Sequence, residues 1–179
     1  MRYTNNLNFP QAIVEAVQAH QYDGGGADIG VTTLIDSPRP KFLRNSHEDE
    51  LVEDVSENIW ALMGNSIHQM LEMVESNVLT EERFLYGYKL LPTLARHLGK
   101  DVLFIGLKPD RLALIEKRLD DYKMASVWEV MLGIKQSRIW QLALYQYMLR
   151  KLGFEVETCR IIYILRDWQM SKCGDAGCR

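Results

Sequence analysis

The sequence predicts an α/β fold in which a central mixed β-sheet is flanked by helices. Apolar residues recur at helical spacing over residues 46–77 and again over 137–151. Runs rich in β-branched and aromatic residues, bounded by turn signals, read as strands at 81–90, 102–105, 111–115, 119–124 and 155–165. Strands interleaved with helices form a layered α/β domain, because each sheet face needs a helix to cover it.

In chain order, residues 1–30 read as a separate lead-in. A short amphipathic helix at 11–20 carries Ile13, Val14, Ala16 and Val17, and Asp23 with Gly24, Gly25 and Gly26 breaks it. No lysine and Ser/Thr follow that glycine run at phosphate-loop spacing, so it is a linker. Residues 31–179 are the second unit. Residues 32–43 hold two prolines and read as irregular or briefly helical. The long helix is expected to start at Ser46, with Asp49 three residues later as a capping-box-like pair. Leu51, Val52, Val55, Ile59, Leu62, Met63, Ile67, Met70, Leu71 and Val74 form its apolar stripe. Acids from Glu48 to Glu57 crowd its first turns, at the positive end of the dipole. Phe84, Tyr86 and Tyr88 alternate along the next strand, and residues 92–98 turn the chain. A turn at 116–118 folds the 111–115 run back onto 119–124, and residues 126–132 make a short helical crossover. Gly153 stops the last helix. No internal repeat is visible.

The chemistry-bearing pattern is Pro109-Asp110 followed by Asp121-Tyr122-Lys123. Asp121 and Lys123 are two apart, so on a strand they point to the same face. The hairpin brings Asp110 alongside them. Two carboxylates and an ammonium at one corner suit a hard divalent cation such as Mg²⁺ or Mn²⁺ and the water it activates. Lys123 stands where a residue is needed to orient that water or stabilise the transition state. Alone, this pattern is also that of a solvated ion-pair face. Gly64, His68 and Glu72, each four apart on the long helix, add a candidate metal ligand in His68 and a candidate orienting partner in Glu72. A mid-helix glycine costs roughly 1 kcal/mol against alanine, which suits a place where something approaches closely. Gln141 and Tyr145 share a face of the last helix and can bond a lysine or a phosphate.

Composition bounds the function classes. A chain of 179 residues, 47% hydrophobic, can bury one core. It has no long apolar run for a membrane span and no signal-peptide layout. Three cysteines argue against a disulfide framework and for a reducing cytoplasm. The net charge of −3 supplies no general basic excess, so a nucleic-acid path must be a local strip. Lys89, Arg96, Lys100, Lys108, Lys135, Arg138 and Arg150 are its candidates.

Taken in order, Gly64…His68…Glu72, Glu82-Arg83-Phe84, Gly106…Pro109-Asp110, Asp121-Tyr122-Lys123 and Gln141…Tyr145 resemble the PD-(D/E)XK nuclease superfamily. The likeness is to the RecB-like exonucleases and to phage nucleases related to the CRISPR-associated iron–sulfur nuclease. Residues 32–39 resemble the N-terminal motif of the phage members, and residues 163–168 their last core strand. Phage relatives continue further past that strand. The resemblance implies a restriction-endonuclease-like core over 31–179. It implies His68, Asp110 and Asp121 as ligands of Mg²⁺ or Mn²⁺, joined by the backbone carbonyl of Tyr122. It also implies Lys123 as the catalytic lysine, Gln141 and Tyr145 as the motif near the lysine and the DNA, and Glu82 as a lesser contributor. The iron–sulfur members need four cysteines. Here Ser37 stands where the first would fall, and only Cys159, Cys173 and Cys178 are present, so no cluster is expected.

The implied activity is metal-dependent hydrolysis of DNA, as an exonuclease on ends or single strands, in DNA processing or recombination. A recombination or replication protein is a possible partner, and a bacterial or phage-infected cell the expected setting. A non-catalytic DNA-binding or assembly module that kept the fold is the alternative. An RNA-directed nuclease ranks lower, since nothing in the sequence reads a 2′-hydroxyl.

Overall fold

The computed structural model describes residues 2–19, 25–74 and 78–168. Its elements in order are β1 (Arg2–Thr4), α1 (Gln11–Ala19), β2 (Ile29–Gly30), α2 (Val31–Ile35), α3 (Pro38–Ser46), a 3₁₀ turn (Glu48–Glu50), β3 (Val52–Asp54), α4 (Val55–Val74), β4 (Leu79–Thr80) and β5 (Phe84–Lys89). They continue as α5 (Pro92–Leu98), β6 (Val102–Leu107), β7 (Arg111–Ala113), β8 (Arg118–Ala125), α6 (Val127–Met131), α7 (Gln136–Lys151) and β9 (Thr158–Leu165). The fold is α/β, with mixed sheets flanked by helices.

The larger ladder has the order β4-β7-β8-β9. β7 and β8 form the antiparallel hairpin, and Arg111 faces Asp120. β9 runs parallel to β8 from Arg118↔Thr158 to Ala125↔Leu165. A parallel neighbour requires a crossover, and α6 and α7 supply it. A second ladder, β2-β6-β5, shares the same core. Ile105 and Leu107 of β6, Leu112 of β7, Leu119 of β8 and Leu142, Tyr145, Met148 and Leu149 of α7 form one buried cluster. Full burial of each such aliphatic side chain contributes roughly 1.5–3 kcal/mol. α7 ends at Lys151, and Gly153 takes a φ of 97°, a left-handed conformation that glycine adopts without steric cost.

The long helix begins later than its sequence suggests. Ser46 ends α3, where its hydroxyl donates to the Phe42 carbonyl. Residues 52–54 are drawn into a strand because β1 pairs with them in parallel. The cap of α4 is therefore Asp54, whose carboxylate accepts the Ser56 amide at 3.0 Å and the Ser56 hydroxyl at 2.6 Å. Bonds from Ser56, then the Asn6 amide, hold the Asp54 carboxyl well below the usual carboxylate range.

The N-terminal segment is tied into the body as well. Val14 and Val17 of α1 pack with Val55 of α4 in a second small core, flanked by Tyr3, Phe9 and Ile59. β2 pairs with β6, and the approach is so close that a Cβ on Gly106 would lie 2.7 Å from the Ala27 side chain. Residues 92–98, expected as a turn, form the short helix α5. No described helix is long and apolar enough to cross a membrane.

Candidate metal centre and active site

α4, the turn after β4, the start of β7 and the middle of β8 meet at one cleft. His68 reaches in from α4. Its Nδ1 lies 3.0 Å from Glu81 Oε1 and 3.5 Å from Asp110 Oδ1. One ligand atom from each of these three residues lies within 4.8 Å of the others. An octahedral ion with bonds near 2.1 Å separates its donors by about 3–4 Å, so this trio can share one cation.

Glu81 is the residue that the sequence missed. Residue 82 was the expected contributor, yet Glu82 is exposed and Glu81 is half-buried in the cleft. Glu81 has a φ of 51°, and its amide donates to the Asp110 carbonyl at 3.2 Å. A left-handed non-glycine residue is uncommon and marks a position fixed by its surroundings. Glu72 lines the cleft but is exposed, and the partner of the His68 ring is Glu81.

The β8 face completes the site. The Tyr122 amide donates to Asp110 Oδ2 at 2.6 Å, which fixes that carboxylate against the strand. The Tyr122 ring meets His68 edge-on, with centroids 6.4 Å apart. Lys123 Nζ lies 2.7 Å from Asp121 Oδ1 and 3.9 Å from Asp110 Oδ2. Asp121 is only 2% exposed, and its Oδ2 is buried with no hydrogen-bond partner. A buried carboxylate oxygen without a donor is costly unless something else satisfies it. His68, Glu81 and Asp110 offer an oxygen-rich donor set for one cation, and Asp121 stands outside that trio, joined to Asp110 through the Lys123 ammonium.

Gln141 and Tyr145 lie behind the loop rather than on the lysine. Tyr145 OH donates to the Lys108 carbonyl at 3.3 Å, and Gln141 Nε2 lies 3.4 Å from Tyr145 OH. Both therefore brace the Lys108-Pro109-Asp110 turn, and Tyr145 also lines the cleft. Burial pushes the Tyr145 phenol up to about 12, so it stays neutral. The cleft has a volume of about 420 Å³ and is walled by Val31 and Thr32 of α2, by Asn65 and Gln69 of α4, and by Gly106.

The electrostatics follow from burial. Desolvation, against the pull of Lys123 and with repulsion from Asp121, raises the Asp110 carboxyl to about 6. The Glu81 hydrogen bond raises the His68 imidazole above its ordinary value against the effect of burial. Burial pushes Glu81 up, but the bonds from His68 and Lys108 outweigh it and leave Glu81 below its ordinary value. Lys108 Nζ sits 2.6 Å from Glu81 Oε2, and so belongs to this site.

Lys100 pairs with Asp28, Lys135 and Arg138 with Glu129, and Arg150 donates to the Val156 carbonyl beyond the end of α7. Lys89 and Arg96 line a separate hollow with Lys100. Cys159 is half-buried in β9, and Cys173 and Cys178 lie outside the described residues.

No protein-family model matches the chain, and no curated protein matches it. A solved structure does. The crystal structure of SSO0001 superposes with a TM-score of 0.63 at 18% identity, over 87% of this chain and 71% of that one. At that identity the likeness is one of fold alone.

Proposed function

We propose that this chain is a divalent-metal-dependent deoxyribonuclease that hydrolyses phosphodiester bonds as an exonuclease, using Mg²⁺ or Mn²⁺. The observation that carries this reading is the gathering of His68, Glu81 and Asp110 around one point, beside the orphaned Asp121 Oδ2 and the Lys123 ammonium. The motif order of the sequence supports it independently. A bound cation would lower the pKa of the attacking water and neutralise charge on the phosphate in the transition state.

The chain's own residues do the rest. His68, Glu81 and Asp110 would hold the cation, with Asp121 and the Tyr122 backbone as further candidate donors. The Tyr122 amide and the Glu81 backbone keep Asp110 in place. Lys123 orients the water and holds positive charge against the phosphate. The attacking water gives up a proton to solvent as its oxygen bonds to phosphorus, the bond from phosphorus to the leaving sugar oxygen breaks, and that oxygen takes a proton from a solvent water. DNA is the substrate, processing or recombination the setting, with a replication or recombination protein as a partner, in the cytoplasm of a bacterial or phage-infected cell.

End-labelled linear and circular DNA, incubated with Mn²⁺, Mg²⁺ or EDTA, test the proposal. Metal-dependent loss of the linear substrate alone is expected. Cutting of the circle would turn the reading to an endonuclease. Binding without cleavage of either would replace it by a DNA-binding module.

A further inference from the structure

All four tryptophans are substantially exposed: Trp60 52%, Trp128 66%, Trp140 52% and Trp168 46%. Three of them belong to segments that meet at the end of β8. The Arg166 amide donates to the Ala125 carbonyl at 3.0 Å, and the Val127 amide donates to Asp167 Oδ1 at 2.8 Å. These bonds bring the chain positions of Trp168 and Trp128 to the same end of the sheet. The Arg166 guanidinium in turn stacks over Trp60, 4.4 Å from the ring centroid. A cluster of large exposed aromatics needs an occupant, because water gains nothing from it.

The cluster is continuous with the cleft. Trp60, Gly64 and His68 follow one another at four-residue steps along α4, so they lie on one side of that helix. A Cβ on Gly64 would meet nothing within 4 Å, so the helix surface between Trp60 and His68 is smooth and open. Trp60 and His68 are about 12 Å apart along the axis. Along β8, Tyr122 beside His68 and Ala125 beside Arg166 are about 10 Å apart, so the two elements give consistent rulers.

The charges select the occupant. Arg166 presents its guanidinium at the platform, and two of the nearby acids are engaged. Asp167 accepts the Val127 amide, and Glu129 is held by Arg138 at 2.6 Å and by Lys135 at 3.7 Å. Exposed Glu57, three residues before Trp60, bounds the path at the far side with a charge that repels phosphate. Aromatic faces with interleaved cations are the chemistry that holds an unpaired polynucleotide, whose bases are free to stack. In a duplex the bases are stacked on each other and unavailable.

We propose that Trp60, Trp128, Trp168 and Arg166 form a stacking platform for the bases of single-stranded DNA, which then runs along α4 past Gly64 into the cleft at His68 and Asp110. The direction of travel rests on the cleft being the nuclease centre, whereas binding at the platform needs no metal.

Anisotropy of a fluorescein-labelled oligothymidylate with the full chain in EDTA tests this, beside a duplex of the same length. The wild type is expected to bind the single strand in preference to the duplex, with quenching of tryptophan emission. Trp60→Ala and Trp128→Ala should each weaken binding about tenfold, and Trp60→Phe should retain most of it. These side chains are exposed, so circular dichroism should be unchanged. Wild-type affinity in both alanine variants would overturn the platform. So would a concentration-dependent dimer, by sedimentation, that dissociates in those variants while oligonucleotide affinity stays intact, since the patch would then join two copies of this chain. Loss of the platform with Mn²⁺-dependent cleavage retained leaves the nuclease reading standing. A platform that binds as expected on a protein that never cleaves leaves the platform standing without it.

Discussion

Asp120 and Asp121 are neighbours on β8, and both are buried, at 0% and 2% exposure. Their surroundings are opposite. Asp120 is saturated by arginine. Arg160 donates to both of its oxygens at 2.7 and 3.0 Å, Arg111 donates at 2.7 Å, and Arg118 at 3.1 Å. Asp121, on the other face of the strand, has one lysine at 2.7 Å and one oxygen with no hydrogen-bond partner. The first carboxylate is complete without any ligand and pins β7, β8 and β9 together. The second is short of a partner, and the lysine it holds also reaches toward Asp110. Burial alone does not mark a functional acid; an unmet need for positive charge does.

The comparison breaks most sharply under substitution. Asp121→Asn should abolish metal-dependent cleavage and leave the circular dichroism spectrum unchanged; retained cleavage would contradict the site. Lys123→Ala should lower turnover by about 10²–10⁴ while metal binding, followed by calorimetry, is spared. Loss of metal binding there would mean that the lysine organises the carboxylates instead. Asp120→Ala should cost roughly 3 kcal/mol in denaturant unfolding, because it leaves three guanidinium groups without their shared anion. A cost under roughly 1 kcal/mol would show that water replaces the carboxylate readily.

The two regions also differ in the sign of their pH dependence. Burial pushes Asp120 up, but the bonds from Arg160, Arg118 and Arg111 outweigh it and hold it below its ordinary value. Its contribution is present above the ordinary carboxylate range and is lost as pH falls below it. Asp110 is raised to about 6, chiefly by burial. Its contribution is complete below about pH 4 and lost as pH rises through about 6, on the order of 3 kcal/mol at most. In EDTA, the melting temperature of the wild type should therefore fall relative to Asp110→Asn between about pH 4 and 7. Parallel curves would contradict the raised value. The smallest expected effect is that of Glu81→Gln, a loss of Mn²⁺ affinity by calorimetry with the fold unchanged; unaltered affinity would remove Glu81 from the ligand set.

Much of the arrangement was legible because it is local. Asp121 and Lys123 share a face by strand period, the hairpin turn returns the chain to Asp110, and α7 follows from its apolar spacing. What escaped was set by distant pairing. Ser46 looks like a helix start, but β1 claims residues 52–54 as a strand partner and hands the cap to Asp54. Glu81 and Glu82 are indistinguishable in sequence, and a left-handed φ at 81 decides which of them faces His68. The Asp120 cluster depends on Arg160, forty residues away, arriving opposite it in the β8–β9 register. The meeting of the segments that carry Trp60, Trp128 and Trp168 likewise depends on residues far apart in the chain.

The central claim is that Asp121 serves chemistry and Asp120 serves the fold. The direct measurement is Mn²⁺-dependent release of label from linear DNA by Asp121→Asn and by Asp120→Ala, each at matched folded fraction determined by denaturant unfolding. The account predicts no cleavage by the folded Asp121 variant, and cleavage per folded molecule near wild type for the less stable Asp120 variant. Cleavage by Asp121→Asn at the wild-type rate would contradict it.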